Sequence, residues 1–201
     1  MSKAKASNIG VWLNRLRSGK ALYFLSDLCK LSELSVASMR RATQRLVKRG
    51  LLKRVGKELY WNTFKACSLE LLANTLVIPS YVSMESALNQ HGILLQAPQV
   101  LTCLTTQRPR TVKTPLGTIV YQHLAPRYFW GYTQVSQHGA VASPEKAVVD
   151  YIYQRRQNGQ SISMDEWEIG AVNKALVKKY AQKFPRTVQN LWDRHVGSPN
   201  R

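Results

Sequence analysis

Acidic residues are scarce in this chain. It holds 11 Asp and Glu against 29 Lys and Arg in 201 residues, a formal charge of +18. With only 8 of the acids after position 65, a two-metal carboxylate site has few candidates. Cysteine is also rare: Cys29, Cys67 and Cys103 are far apart and form no CxxC pair. That argues against a disulfide framework or a zinc site and suits a reducing compartment. No apolar run reaches the ~18 residues of a membrane-spanning helix. The opening MSKAKASNIG carries lysines but lacks the apolar segment of a secretion signal, so a cytoplasmic protein is expected. There is no Gly-rich phosphate loop and no GxSxG elbow. His91, His123, His138 and His195 are isolated, without HxxxH or HExxH spacing, and read as surface or hydrogen-bonded structural histidines. No catalytic residue, metal or cofactor is expected.

What the chain does have is apolar content of 44%, enough for a core in one large or two small domains. Its positive potential favours a polyanionic partner, nucleic acid before an acidic membrane surface. The charge is uneven. Residues 1 to 65 hold 15 Lys and Arg against 3 acids, and residues 66 to 201 hold 14 against 8. This shift, with the end of a strand pattern near Asn62, divides the chain into domains of residues 1–65 and 66–201.

The first part reads as three helices and a hairpin. Ser7 is a candidate cap for a helix with Ile9, Trp12, Leu13 and Leu16 on one face, stopping at Gly19. Ser26 is expected to cap a short second helix carrying Leu28, Cys29 and Leu31. After a turn at Glu33, Ser35 is expected to cap a third helix that ends at Gly50. At ~100° per residue, Val36, Met39, Thr43, Leu46 and Val47 share one side of that helix, while Ala37, Ser38, Arg41, Gln44, Arg45 and Lys48 share the other. Arg40 and Arg49 fall on the flanks. Strand-like runs Leu51–Val55 and Glu58–Asn62 follow, separated by Gly56-Lys57, a pair suited to a type II′ turn. Lys53, Arg54 and Lys57 lie near its tip.

That order predicts a winged helix-turn-helix binding double-stranded DNA. The third helix would enter the major groove and the hairpin would follow the backbone. Ala37 and Ser38 would allow close approach, Arg41 and Gln44 would reach base edges, and Arg45 and Lys48 would neutralise phosphates. Ser35, Arg40 and the hairpin cations complete the candidate DNA-binding set. A solvated basic surface or a protein-interaction module is the competing reading. DNA binding would make the protein nucleoid-associated when engaged.

The second part reads as mixed α/β, making the whole chain α+β. Helices are expected around Leu69 to Leu76, over Ser83–Gln90, from Ser143-Pro144-Glu145 through Ala147, Val148 and Ile152, and from Met164 to Phe184. Pro185 separates the last from a short terminal helix. Strands are expected at Val100–Thr105, Gly117–His123 and Tyr132–Val135. Glu145, Lys146 and Asp150 superficially suggest a nuclease-like set, but Glu145 is explained as a helix opener and Lys146 as an outward side chain.

Several motifs in this part resemble a known family. They are Tyr81-Val-Ser83-Met-Glu-Ser86-Ala87-Leu88 with His91-Gly92, Gly117-Thr-Ile119-Val-Tyr121-Gln-His123, Phe129-Trp-Gly131, and Ala142-Ser-Pro144-Glu145-Lys146-Ala147-Val-Val-Asp150. In this order they look like the AbiEi family of antitoxin regulators from bacterial abortive-infection systems. The resemblance implies a winged helix that represses its own operon at inverted repeats. It also implies a C-terminal domain that counters a nucleotidyltransferase-like toxin without a stable complex, a type IV arrangement. It carries no catalytic residue over to this chain. The competing functions are a stand-alone transcription regulator of a mobile or phage-defence element, whose C-terminal domain binds a partner or ligand, and a DNA-processing enzyme.

Overall fold

A computed structural model describes residues 9–135, 139–164 and 166–196. It has α+β architecture with two sheets and two compact units, Met1–Ser68 and Leu69–Arg201. Ser7 and His138 lie outside the described residues.

The first unit runs α1 (Ile9–Ser18), β1 (Leu22–Phe24), α2 (Leu25–Ser32), α3 (Val36–Lys48), β2 (Leu52–Gly56) and β3 (Leu59–Asn62). Its antiparallel sheet has the order β1-β3-β2. Trp12, Leu16, Leu28, Met39, Leu46 and Leu52 are buried together at its centre. Asn62, fully buried, donates from Nδ2 to the Leu16 carbonyl at 2.7 Å and the Lys20 carbonyl at 2.9 Å. One side-chain amide thus satisfies a carbonyl at the end of α1 and ties it to the sheet.

Three local expectations are corrected here. Strand β1 was not expected, because three residues are too few to show a period; pairing of Leu22 with Trp61 and Phe24 with Leu59 makes it a strand. Ser26 does not cap α2: the helix starts at Leu25, two residues earlier than that cap would give, with Phe24 at the cap position and the Asp27 carboxylate accepting from the Phe24 N–H at 3.0 Å. The hairpin turn is Lys57-Glu58, not Gly56-Lys57. Gly56 pairs with Leu59 beyond an irregularity in β2, and Glu58 takes the left-handed conformation at φ 56°. Two contacts hold it there, a Leu25 N–H donating to the Glu58 carbonyl at 2.8 Å and the Arg40 guanidinium on its carboxylate at 2.6 Å.

The second unit contains α4 (Leu69–Leu76), β4 (Ser80–Val82), α5 (Met84–Gln90), β5 (Leu101–Thr105), β6 (Arg110–Thr114), β7 (Gly117–His123), β8 (Tyr132–Val135), β9 (Gly139–Ala142), α6 (Pro144–Gln157), α7 (Lys174–Ala181) and α8 (Arg186–Val196). The strands form one mixed sheet in the order β6-β7-β5-β4-β9-β8, with β5 parallel to β7 and β4 parallel to β9. Every residue of β4, β5 and β9 is buried, which is why these central strands lack polar alternation. Strands β4, β6 and β9 were not anticipated.

The single helix expected over Met164 to Phe184 is also corrected. Trp167 bridges to Leu94, and the Glu168 N–H donates to the Ile93 carbonyl at 2.8 Å, so this stretch gives its hydrogen bonds to a neighbouring segment. The helix starts only at Lys174, where the Asn173 side chain accepts from the Leu176 N–H at 3.1 Å.

Candidate nucleic-acid interface

Helix α3 is capped as its sequence predicts: Ser35 Oγ accepts the Ser38 N–H at 3.3 Å, and Gly50 turns left-handed at φ 72° beyond the last turn. Its buried residues are Met39, Ala42, Thr43 and Leu46. Val36, expected in the core, is 51% exposed, and Val47 is half-buried. The core stripe is therefore rotated by roughly 40° around the helix axis from the expected one. The small Ala42, about 120° around the axis from Val36, joins the core at the other edge of the stripe.

This rotation aims the cationic side. Ala37, Arg40, Arg41, Gln44, Arg45, Lys48 and Arg49 are exposed, while Ser38 is half-buried and Ser35 is an exposed cap. Arg40 and Gln44 turn toward the hairpin. A groove of about 560 Å³ lies there, lined by Leu25, Arg40, Gln44, Val47, Lys48, Arg54, Lys57, Glu58 and Tyr60. The structure thus brings together Arg40, Gln44, Lys48, Arg54 and Lys57 from the candidate set. Arg41, Arg45, Ala37 and Ser38 lie outside the lining of this groove, as does Lys53, whose Nζ sits 5.1 Å from the centre of the Trp61 ring.

Two contacts shape the groove. The Arg54 Nε donates to the Gly56 carbonyl at 3.3 Å, folding that side chain along the hairpin tip. Arg40 pairs with Glu58 across the groove. Both partners of this pair are largely exposed, so it contributes no more than about 1 kcal/mol of stability. Its consequence is positional, since it holds the turn of the hairpin against α3.

In the second unit the sequence reading missed a cluster that is entirely buried. Lys146, expected to point outward, is fully enclosed, as is Asp150 one turn later on α6. The reason is that α6 is covered around its circumference: Lys146 through Ile152 are all buried. The Lys146 ammonium donates to Asp150 and, at 2.9 Å, to the Tyr81 hydroxyl. Tyr81 and Ser83 donate in turn to Asp150 Oδ2 at 2.9 and 2.8 Å. The rings of Tyr81, Trp130 and Phe184 surround the ammonium at 5.1 to 5.4 Å from their centres. Gly131 makes this possible, because a Cβ there would come within 3.0 Å of Lys146 Cγ. Burial pushes the Lys146 ammonium below its ordinary pKa and the Asp150 carboxyl above its own, each opposed by the partner's charge.

Tyr81, Ser83, Phe129-Trp130-Gly131, Lys146 and Asp150 come from separate motifs and meet at this point. The signal that could have found the cluster was a Lys and an Asp four residues apart inside a run of Ala, Val and Ile, where a solvated lysine has no exposed face. Glu145 does open α6, and its carboxylate accepts the Asn173 N–H at 3.4 Å. Among the described residues, no group of three or more His, Cys, Asp or Glu side chains comes together as a metal site. His91 Nε2 lies 2.8 Å from the Ala142 carbonyl and His123 Nδ1 3.1 Å from that of Gln107, so both are tied to backbone. No helix of the described residues is long and apolar enough to cross a membrane. No family model matches the chain, and no curated protein matches it.

Proposed function

We propose that the first unit is a winged helix-turn-helix that binds duplex DNA, and that the chain is a transcriptional autorepressor and antitoxin of the AbiEi kind. The observation that supports it best is the one-sided charge of α3 and its hairpin. Eight exposed Lys and Arg side chains lie between Val36 and Asn62, and Glu58 is the one acid among them. A helix ~10–12 Å across fits the ~12 Å major groove. In this reading Arg41 and Gln44 contact base edges, Arg45 and Lys48 contact phosphates, and the Arg54 and Lys57 hairpin follows the backbone. The partner is the protein's own operator, at inverted repeats. The second unit counters a nucleotidyltransferase-like toxin without forming a stable complex.

The test uses the full-length protein and the variant R41A/R45A. Wild type should lose affinity for duplex DNA by orders of magnitude between about 50 and 200 mM salt. The double variant should lose operator repression yet still rescue cells from the toxin encoded beside it. A flat salt titration would overturn the DNA reading. Loss of rescue together with loss of DNA binding would overturn the division of labour.

A further inference from the structure

In the second unit the end of β7 and the end of α6 meet at an open pocket that no part of the reading above uses. It measures about 420 Å³, within the range of small-molecule sites. Among the described residues no Asp, Glu, Lys or Arg lines it, in a chain whose formal charge is +18. Carboxamides line it instead: Gln122 on β7, Gln154 and Gln157 on α6, and Asn158 just beyond that helix. Tyr153 and His123 complete the polar wall. The Tyr153 ring packs edge-on with Tyr128 at 5.1 Å and with Phe184 at 5.3 Å, so its position is fixed.

The unspent hydrogen-bonding capacity of this wall is mainly acceptor. Gln154 is only 5% exposed, and its Nε2 donates to the His123 carbonyl at 2.8 Å. A carbonyl only accepts, so this bond fixes the amide orientation and leaves Oε1 without a partner among the described residues. The same rule applies to His123, whose Nδ1 lies 3.1 Å from the Gln107 carbonyl: Nδ1 carries the proton and, in the neutral ring, Nε2 is an acceptor. Gln122 Oε1 is buried and takes no hydrogen bond from the described residues. A buried acceptor left unpaired costs free energy, which favours a ligand that brings a donor. The C-terminal end of α6, the negative end of its dipole, adds to this preference. A cation stands beside the pocket as well. Burial raises the pKa of the Tyr153 phenol, and the charge of Arg127 opposes that rise. Arg127 is exposed and has no carboxylate partner among the described residues.

We infer that this pocket binds a free nucleotide whose base carries an exocyclic amino group, which donates to the side-chain oxygens of Gln122 and Gln154. The base is the uncharged, planar part that a carboxamide wall and an aromatic ring accept. The phosphate is the anionic part that Arg127 and the positive potential of the chain attract. A sugar would gain nothing from Arg127, and an ammonium ligand would suit the acceptors but be repelled by the net charge. The inference does not depend on the role assigned to α3.

The experiment is isothermal titration of the full-length protein with CMP against UMP and with AMP against IMP. Each pair has equal charge and differs at one ring edge, where an amino group is replaced by a carbonyl. CMP and AMP should bind at least about tenfold more tightly than their counterparts. Gln122→Leu should abolish that preference without loss of thermal stability, because the side-chain oxygen has no protein partner to lose. Arg127→Gln should weaken all four nucleotides alike and flatten their salt dependence. Equal affinities within each pair overturn the inference, as does an unchanged preference in Gln122→Leu. Cytidine binding as tightly as CMP would remove the phosphate from the site and overturn the nucleotide assignment. A preference seen only with single-stranded oligonucleotides, and not with mononucleotides, would overturn the assignment to a free ligand. R41A/R45A should bind CMP as the wild type does, so failure of the α3 reading leaves this one standing.

Discussion

Helices α3 and α6 both carry cations, and they treat them in opposite ways. On α3 the guanidinium and ammonium groups point to solvent, and among the described residues only Arg40 has a carboxylate partner. On α6 the one lysine is sealed from water between an aspartate, a tyrosine hydroxyl and three aromatic rings. The difference teaches where charge can do work on a partner. An exposed cation keeps its hydration until a phosphate replaces it, so its free energy is available for binding. A buried one has lost its hydration during folding, and its attraction is consumed by its neighbours.

The sharpest way to break this comparison is to remove the partner of the buried cation. Asp150→Ala should destabilise the second unit by about 3–5 kcal/mol, because an unpaired ammonium is left without water. Urea denaturation should show the loss, and the first unit should melt as before. Adding Lys146→Met to Asp150→Ala should recover part of that loss, since charge burial is then removed as well. If the double variant is no more stable than the single, the damage is cavity formation rather than unpaired charge.

On α3 the effects should appear in binding and not in folding. Arg41→Ala should cost about 1–3 kcal/mol on the preferred site and relax its sequence preference, while thermal stability stays unchanged. Lys57→Ala on the hairpin should weaken all sequences alike and reduce the salt slope by about one. Equal loss of specificity in both would exchange the roles of helix and hairpin.

Smaller effects sharpen the comparison further. Ser35→Ala should lower the stability of the first unit by about 1 kcal/mol through the lost cap on α3. Glu58→Gln should change stability by less than about 1 kcal/mol, because its pair with Arg40 is exposed. It should nonetheless strengthen DNA binding by removing the acid that lines the groove. Weaker binding in Glu58→Gln would mean that holding the hairpin against α3 outweighs the gained charge.

Much of the first unit was legible because α3 is buried on one side only. A one-sided helix writes its environment into a period near 3.6 residues, and its cap at Ser35 and stop at Gly50 are short-range signals. The error there was one of rotation, in exchanging Val36 for Ala42, and apolar pattern alone does not detect it because both residues are apolar. The second unit was less legible for the converse reason. Strands β4 and β9 are buried throughout and only three and four residues long, and α6 is covered on every side, so neither alternation nor an amphipathic stripe survives.

By itself the sequence determined the charge asymmetry, the cap and stop of α3, the opening of α6, and the apolar content that forces folding, because these depend on composition and on residues within one turn of each other. Only the tertiary structure decided that Lys57-Glu58 makes the hairpin turn, that Trp167 and Glu168 pair with Ile93-Leu94 instead of forming helix, and that Lys146 points inward. Each of those outcomes rests on a partner distant along the chain: Leu25 and Arg40 for Glu58, the Ile93-Leu94 segment, and Tyr81 with its surrounding rings. A local pattern cannot encode a contact whose free energy exists only after the chain has closed upon itself.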